Sequence, residues 1–452
     1  MLTIDPNNKY HLIGIGGDGM SALARIMLQI GATVVGSDIR EDPKNELLRQ
    51  TGADVYIGHR RSNISRDIDY VVTSSAIPED NVEVQEARRR KIPVEERLTA
   101  LGSLMEMKRS LAVAGTHGKT TTTTMVSTLL EYGGKDPTFV IGAESEKLGG
   151  NAKVGTGEYI VSEVDESDGH FTELYPDISV VTNVGKDHLD TYKDQDEILN
   201  GFRKFVRHSH ETAVNVDDSN SRLVLSEARD PLTFAIDRDA DITAGGVTQE
   251  GMFTCFDLFF RGEKQGKVKL PAPGKHNVYN ALAAISLGYK AGLDFDVMIR
   301  GLAEFQLPNR RFQVLKNNGM IIVDDYAHLP REIEVTLKAV KEGWDPNRLL
   351  TVFQPHRFSR TQHINGQFGD SFELADIVVI TEIYPASETP IPGVTSQLIQ
   401  KSVEKKKNDG VYRIRDKDEL MAFISDNLRK GDFLIGLGAG DINEFTEKLA
   451  GL

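Results

Sequence analysis

The sequence predicts an α/β protein of three domains with largely parallel sheets, and three observations carry that reading. Short apolar runs rich in Val and Ile alternate with helical patterns along the chain, as βαβ units do. A strand running into a Gly-rich or proton-donor-rich turn restarts three times, at "YHLIGIGGDGM", "SLAVAGTHGKT" and "MIIVDDYAHLP". The 452 residues are too many for one core, and such a length suggests about three domains. Boundaries are expected near 107 and 308, dividing the chain into 1–107, 108–307 and 308–452.

Composition narrows the function classes. A hydrophobic content of 39% and a charged content of 27% are ordinary for a soluble globular chain. The net charge of −14 argues against nonspecific nucleic-acid binding, which needs a basic face. It still allows phosphate-bearing small molecules, because a few local donors override the global sign. The single Cys255 excludes an internal disulfide and a cysteine-rich metal site. "MLTIDPNNKYHL" has no basic segment followed by an apolar one, and no apolar run is long enough to cross a bilayer. A cytoplasmic protein without membrane insertion is expected. The charge runs "EARRRK" (86–91) and "EKKKND" (404–409) read as solvated faces.

In the first domain, residues 10–15 read as a buried strand and 20–30 as a helix with one apolar face. Between them Gly14, Gly16 and Gly19 satisfy G-x-G-x-x-G, and Asp38 closes the next strand, "TVVGSD". Glycines let the backbone approach a pyrophosphate, and the helix start supplies free N–H groups. An acid at the end of the second strand can accept from a sugar hydroxyl. A tight turn without a ligand is the bland alternative; strand, helix and Asp38 together favour a diphosphate, which NAD and a UDP-sugar present alike. His59 and the pair Ser74–Ser75 sit in loops after later strands, where they could meet a base or phosphate.

The central domain opens on "AGTHGKTTTTTMV", in which Val113 occupies the place where the usual P-loop spacing has glycine. Backbone N–H groups from Gly115 to Thr120 would line an anion, with Lys119 at the terminal phosphates and the Thr120 hydroxyl on magnesium. Five threonines make a poor helix start on propensity alone, and hydroxyls facing phosphate would account for them. Two later strands end in "SEVDESDG", with Glu163, Asp165, Glu166 and Asp168, and in "TNVGKDHLD", with Asn183, Asp187, His188 and Asp190. Ligands of open parallel sheets bind beyond the carboxyl ends of strands. Thr120 and Glu163 suit a hard cation, and His188 could complete a second metal site. Further on, Asn277 and Asn280 share one helix face beside His276, where amides can pair with adenine or Asn277 can simply cap the helix.

Taken together, "GTHGKTTTT", "SEVDESDG", "TNVGKDHLDTY", "PGKHNVYNALAA", "RRF", "DDYAH" and "FQPHRFSRT" resemble the Mur ligase family over all three domains. The family's loop has the shorter G-T-x-G-K-T form, so Val113 is no defect. "GIGGDGMSALA" points within the family to the alanine-adding type. The resemblance implies an ATP-dependent ligase of peptidoglycan synthesis, joining L-alanine to the lactyl carboxylate of UDP-N-acetylmuramate through an acyl phosphate. It implies a UDP-binding Rossmann-like first domain, a central P-loop ATPase-like domain and a Rossmann-like third domain closing over the amino acid. The cofactors implied are ATP and magnesium, and the chain is expected to be a monomer or homodimer. Gly16, Gly17, Gly19, Met20, Asp38, His59, Ser74 and Ser75 would bind the UDP substrate. Gly115, Thr116, His117, Gly118, Lys119, Thr120 and Thr121 would hold ATP, with Asn277 and Asn280 on adenine and Arg311 and Asp325 on the nucleotide. Thr120, Glu163 and His188 would hold metal. Tyr326, His328, His356, Arg357 and Arg360 would face the nascent amide and the amino-acid carboxylate, with His328 or His356 as base.

Two departures stand out: Leu329 follows His328 where the family usually has a second histidine, and His170 replaces a smaller residue. Lys204 is the nearest candidate for carbamylation, but no motif fixes it. Three other readings compete: a ligase adding a preformed peptide or another amino acid, a nicotinamide-dependent oxidoreductase resting on Gly14, Gly16, Gly19 and Asp38, and a nonenzymatic UDP-sugar sensor.

Overall fold

A computed structural model describes residues 4–451 except 75, 168, 186–191 and 387. Three sheets follow one another along the chain. In the first, β1 (Lys9–Ile13), β2 (Thr33–Asp38), β3 (Asp54–Ile57), β4 (Tyr70–Thr73) and β5 (Val94–Glu96) pair in the order β3-β2-β1-β4-β5, all parallel. The second contains β6 (Arg109–Ala114), β7 (Thr138–Val140), β8 (Ala152–Lys153), β9 (Tyr159–Glu163), β10 (Ile178–Val181), β11 (Glu211–Asn215), β12 (Leu232–Ala235), β13 (Ile242–Glu250), β14 (Phe253–Phe260) and β15 (Glu263–Leu270). Their order is β15-β14-β13-β12-β11-β10-β6-β9-β7-β8. The third contains β16 (Gln313–Asn317), β17 (Ile321–Asp325), β18 (Arg348–Phe353), β19 (Ile377–Ile380), β20 (Val411–Arg413) and β21 (Asp432–Leu437), ordered β16-β17-β21-β18-β19-β20. Antiparallel pairing occurs at β7–β8 and β16–β17, while the motif-bearing β1, β6, β9 and β10 pair in parallel and β17 pairs in parallel with β21 on its other side.

The chain divides into two compact units, one of 1–245, 257–268 and 279–305, the other of 246–256, 269–278 and 306–452. Strands β13, β14 and β15 therefore each cross a unit boundary, whereas the first sheet and the strands β6–β12 of the second share a unit. Their apolar side chains form one continuous cluster running from Leu12 and Met27 through Leu101 and Leu104 to Ile160, Phe171 and Phe202. The helix Arg97–Met105 brings this about, because its buried Leu98, Leu101 and Leu104 belong to that same cluster. Residue 107 separates two sheets but not two cores. No helix among the described residues is long and apolar enough to cross a membrane.

Local chemistry sets the elements that position the site. The helix Asp18–Ile30 begins after the glycine turn and stops at Gly31, whose φ of 100° is the left-handed cap that glycine adopts at low cost. Its basic counterpart in the charge census, "EARRRK", lies mainly on the helix Val82–Arg89, where Arg88 pairs with Glu79, and Arg89 and Arg90 pair with Glu86. The helix Gln195–His208 is capped by Asp194, which accepts from Glu197 N at 3.0 Å. It buries Ile198, Leu199, Phe202, Phe205 and Val206, and Phe171 meets Phe202 and Phe205 at centroid distances of 5.1 and 5.7 Å. Replacing Phe202 by Ala leaves a cavity in this core. It should cost the first unit about 3–5 kcal/mol, read from urea unfolding followed by far-UV circular dichroism. A loss below about 1 kcal/mol would show that the cluster does not hold the unit together.

Candidate active site

The phosphate cradle stands at the carboxyl ends of three neighbouring strands, β10, β6 and β9. After β6 the chain turns through Gly115 (φ 135°) and Gly118 (φ 82°) into the helix Lys119–Tyr132. Both φ values favour glycine, and a Cβ would overlap the Thr182 hydroxyl at the first and the Asn280 carboxamide at the second. The loop is braced from β10. Asn183 accepts from His117 N at 2.9 Å and donates from Nδ2 to His117 O at 2.8 Å. Thr116 N donates to Asn183 O, and the Thr116 hydroxyl accepts from Gly185 N at 2.8 Å. Asn183, expected among groups of phosphate or metal chemistry, thus spends its side chain on the frame of the loop.

Lys119 Nζ sits in the mouth of this turn, 2.7 Å from Gly115 O, 3.3 Å from Thr116 O and 2.7 Å from Glu166 Oε2. Burial alone would pull its pKa down. The carboxylates of Glu166, Asp165 and Glu163 outweigh burial and hold it above the ordinary lysine value. The Tyr192 hydroxyl donates to Glu166 O and fixes that acid's backbone. Beside it Thr120 Oγ1 donates to Glu163 Oε1 at 2.9 Å, and Gly142 N donates to Glu163 Oε2 at 2.8 Å. The threonine run mostly does something other than face phosphate. Thr123 and Thr124 donate to the carbonyls of Lys119 and Thr120, one turn back, and Thr122 donates to Asn280 Oδ1 at 3.4 Å. These hydroxyls are buried and bond within the fold, which leaves Thr120 and Thr121 at the helix start. His188, with Asp187 and Asp190, and also Asp168 and Ser75, lie outside the described residues.

In the first sheet, Gly14 takes φ 77°, and Gly16 N donates to Asp38 Oδ2 at 2.9 Å. Gly17 precedes the helix, and a Cβ at Gly19 would lie 3.0 Å from Arg97 Nη1. The side chain of Met20 is buried in the core, so its backbone is what it can offer a ligand. Ser74 O accepts from Ile77 N, closing the loop after β4. His59 follows β3, with Nδ1 3.0 Å from Ser37 Oγ. Arg97 carries no sequence motif, yet it reaches from Gly19 to Asp165 Oδ2 at 3.3 Å, linking the first glycine loop to the acids around Lys119.

The second unit gathers its own cluster at the ends of β17 and β18. Asp325 accepts from Phe312 N at 2.7 Å and from Ala327 N at 2.8 Å, and burial pushes its carboxyl up to about 6 against the pull of Arg311. Arg310 binds Asp324 and the carbonyls of Gly438 and Gly440, while Arg311 lies 4.7 Å over the Tyr326 ring. His328 Nδ1 is 3.0 Å from Tyr326 O, and its ring is 5.6 Å from that of His356. Arg360 Nη1 approaches His356 Nδ1 at 3.0 Å, and His356 stacks on Tyr384 at 5.7 Å. Arg357, with φ 69°, is in a conformation that side chains avoid, and its N–H donates to Tyr384 O. Burial, reinforced by His328, Arg360, Arg357 and Arg310, pushes His356 down to about 2. His276 is likewise lowered, to about 4, first by burial and then by Arg331. An imidazole held this firmly neutral suits accepting a hydrogen bond better than keeping a proton.

Asn280 Oδ1 faces Gly118 in the first unit, and Asn277 Nδ2 donates to Pro273 O at 2.7 Å in the second. The departures noted in sequence have plain placements. Leu329 is buried in front of the helix Pro330–Trp344, His170 is exposed, and exposed Lys204 approaches Thr172 Oγ1 at 3.3 Å.

Residues 9–109 match the model described as Mur ligase family, catalytic domain, 113–288 the Mur ligase middle domain, and 310–440 the Mur ligase glutamate ligase domain. The chain is 43% identical over 448 residues to a UDP-N-acetylmuramate–L-alanine ligase of Pelotomaculum thermopropionicum, covering 97% of this chain and 96% of that one. The chain belongs to the Mur ligase family. A Geobacter sulfurreducens protein of the same name is 42% identical over 440 residues, covering 96% of this chain and 95% of the relative. The solved structure of a UDP-N-acetylmuramate–alanine ligase from Thermotoga maritima superposes with a TM-score of 0.86 at 31% identity, covering 98% of this chain and 99% of that one. The Mur ligase fold thus extends over all three sheets described above.

The histidine environment of this Mur ligase gives a pH prediction. Unfolded His356 titrates near 6.5, whereas the folded chain protonates it only near 2. Its contribution to stability is therefore complete above about 6.5 and is lost as pH falls below that value. Asp325, raised to about 6, acts in the opposite sense, so the wild-type profile is partly compensated. The stability of His356→Asn relative to wild type should rise by about 2 kcal/mol between pH 7 and pH 5. Fluorescence of Trp344, the one tryptophan, reports unfolding of the unit that contains it.

Proposed function

We propose that this chain joins L-alanine to the lactyl carboxylate of UDP-N-acetylmuramate, with ATP as phosphoryl donor, as a cytoplasmic step of peptidoglycan synthesis. The observation that carries the reading is the Lys119–Glu166 and Thr120–Glu163 cradle, in a chain 43% identical over nearly its whole length to an L-alanine ligase. Residues 1–107 are assigned to the UDP substrate, 108–307 to ATP and 308–452 to the amino acid.

The cradle suits magnesium and ATP on its own chemistry. Gly115 and Gly118 leave space where side chains would overlap neighbours, Thr120 and Glu163 converge as oxygen ligands, and buried Glu166 Oε1 has no hydrogen-bond partner among the described residues. Gly115, Thr116, His117, Gly118 and Thr121 would line the phosphates, Thr120 and Glu163 would hold magnesium, and His188, outside the described residues, would be the ligand for a second cation. Asn277 and Asn280 are assigned to adenine, and Arg311 and Asp325 to the nucleotide. ATP with magnesium supplies a phosphoryl group to the carboxylate, replacing an oxide that cannot leave by a phosphate that can.

The protein's part is electrostatic and positional. Lys119 carries positive charge to the place where two anions must meet, and exchanges the carbonyls of its own loop for phosphate oxygens. In the second unit Arg357 and Arg360 offer guanidinium forks to an amino-acid carboxylate. The amine that attacks the acyl phosphate must first lose a proton. His328 is the assigned base, because His356 is surrounded by cations and is a poor proton acceptor.

Phosphate release from ATP should require both UDP-N-acetylmuramate and L-alanine and yield an amide-linked product. Release without that product, or none from folded protein, would remove the reading. Lys119→Ala should reduce turnover at least about a thousandfold while the UDP substrate still binds, as calorimetry can show. Arg360→Ala should mainly raise the KM for the amino acid, and an unchanged KM would take Arg360 out of that role.

A further inference from the structure

Glu83 lies outside the motifs considered so far, and its side chain is fully buried. The carboxylate collects donors from three parts of the first sheet. His11 Nε2 on β1 is 3.1 Å from Oε2, and Ser37 Oγ at the end of β2 also donates to Oε2. From the loop after β3, Arg60 N reaches Oε1 at 3.0 Å and Asn63 Nδ2 reaches it at 2.6 Å, while His59 Nδ1 is 3.5 Å from Oε2. Burial alone would raise the pKa of this acid, but the bonds from His11, His59 and Ser37 prevail and keep it ionised.

An ionised carboxylate only accepts, and a serine has one proton to give. Ser37 gives that proton to Glu83, so toward His59 Nδ1, at 3.0 Å, its oxygen must accept. His59 therefore carries a proton on Nδ1, and the tautomer this selects has Nε2 as its acceptor. Among the described residues Nε2 has no protein partner, and the side chain is 14% exposed. Neighbouring strands run β1, β2, β3, so their ends present the Gly14–Gly19 turn, then Asp38, then His59. That succession matches the diphosphate, ribose and base of a UDP-linked substrate.

We propose that Glu83, acting through Ser37, is a positioning group that fixes His59 as a hydrogen-bond acceptor for the ring N–H of the uracil base. The inference rests on the UDP-substrate reading and deepens it. Uracil presents a donor at ring position 3, whereas cytosine presents a lone pair there, so a fixed acceptor favours uridine and repels cytidine. The site then reads the base through a proton placed two side chains away.

Nitrogen-15 spectra of histidine-labelled full-length protein test this, with His59 assigned by loss of its signal in His59→Gln. In wild type, the neutral form of His59 should carry its proton on Nδ1. Ser37→Ala, and separately Glu83→Gln in case one variant folds poorly, should shift population toward the Nε2–H tautomer. Both should raise the KM for the UDP substrate about tenfold with kcat and the KM for ATP unchanged. Both should also narrow the preference for the UDP substrate over its cytidine counterpart. A wild-type His59 protonated on Nε2, or variants that weaken binding without moving the tautomer, would overturn the relay. Wild-type protein that shows the Nδ1 tautomer but never ligates alanine would instead overturn the functional reading and leave the relay standing.

Discussion

The centre of this structure depends on keeping one ammonium charged where water hardly reaches it. The Lys119 side chain is only 13% exposed, and an unpaired cation there would lose its proton or its place. Three carboxylates and two backbone carbonyls prevent that. The demand propagates outward. Glu166 must be fixed, and Tyr192 pins its backbone; Glu163 must lie alongside, and Gly142 and Thr120 hold its two oxygens. The parallel pairing of β6 with β9 and β10 then reads as the support that brings a cation, an acid pair and a glycine turn to one edge.

A second regularity joins the three sheets. At each, a polar side chain at the end of a strand stabilises the backbone of a neighbouring loop. Asp38 receives Gly16 N, Asn183 receives and returns bonds with His117, and Asp325 receives Phe312 N and Ala327 N. Loops that approach phosphates carry many backbone groups with no helix or sheet partner, and those groups must be satisfied from the side. Residues of this kind are inseparable from binding, since the shape of the cradle is what they maintain.

This regularity explains what the sequence disclosed and what it hid. Glycine spacing, the Gly-Lys-Thr turn and acids at strand ends are local signals, and the structure sets each at the carboxyl edge of a parallel strand. The strand "TVVGSD" runs from Thr33 to Asp38 as expected, and the threonine run lies in the first half of the helix Lys119–Tyr132. Partnerships across many residues left no local trace: Arg97 with Asp165, Gly142 with Glu163, Glu83 with Ser37 and Asn63. The threonine run misled because composition says what a hydroxyl can do but not which way it turns, and three of the five turn into the protein. The shared core across residue 107 was equally invisible, because apolar periodicity marks a face without naming the surface that covers it.

The histidines of the two units show how burial assigns opposite uses to one side chain. His59 is tied through Ser37 to a carboxylate, which decides where its proton sits and leaves an acceptor free. His356 is surrounded by Arg310, Arg357, Arg360 and His328, which makes gaining a proton unfavourable. The nine non-glycine residues with positive φ among the described residues include Arg357, which belongs to this positively charged cluster. Backbone strain of this kind persists where surrounding contacts enforce it, here the bond from Arg357 N to Tyr384 O. A carboxylate entering between the guanidinium groups would relieve the repulsion among them. On the proposed function, the amino acid's charge would meet a field that exists before it arrives, and the neutral His356 imidazole is a consequence of that same field.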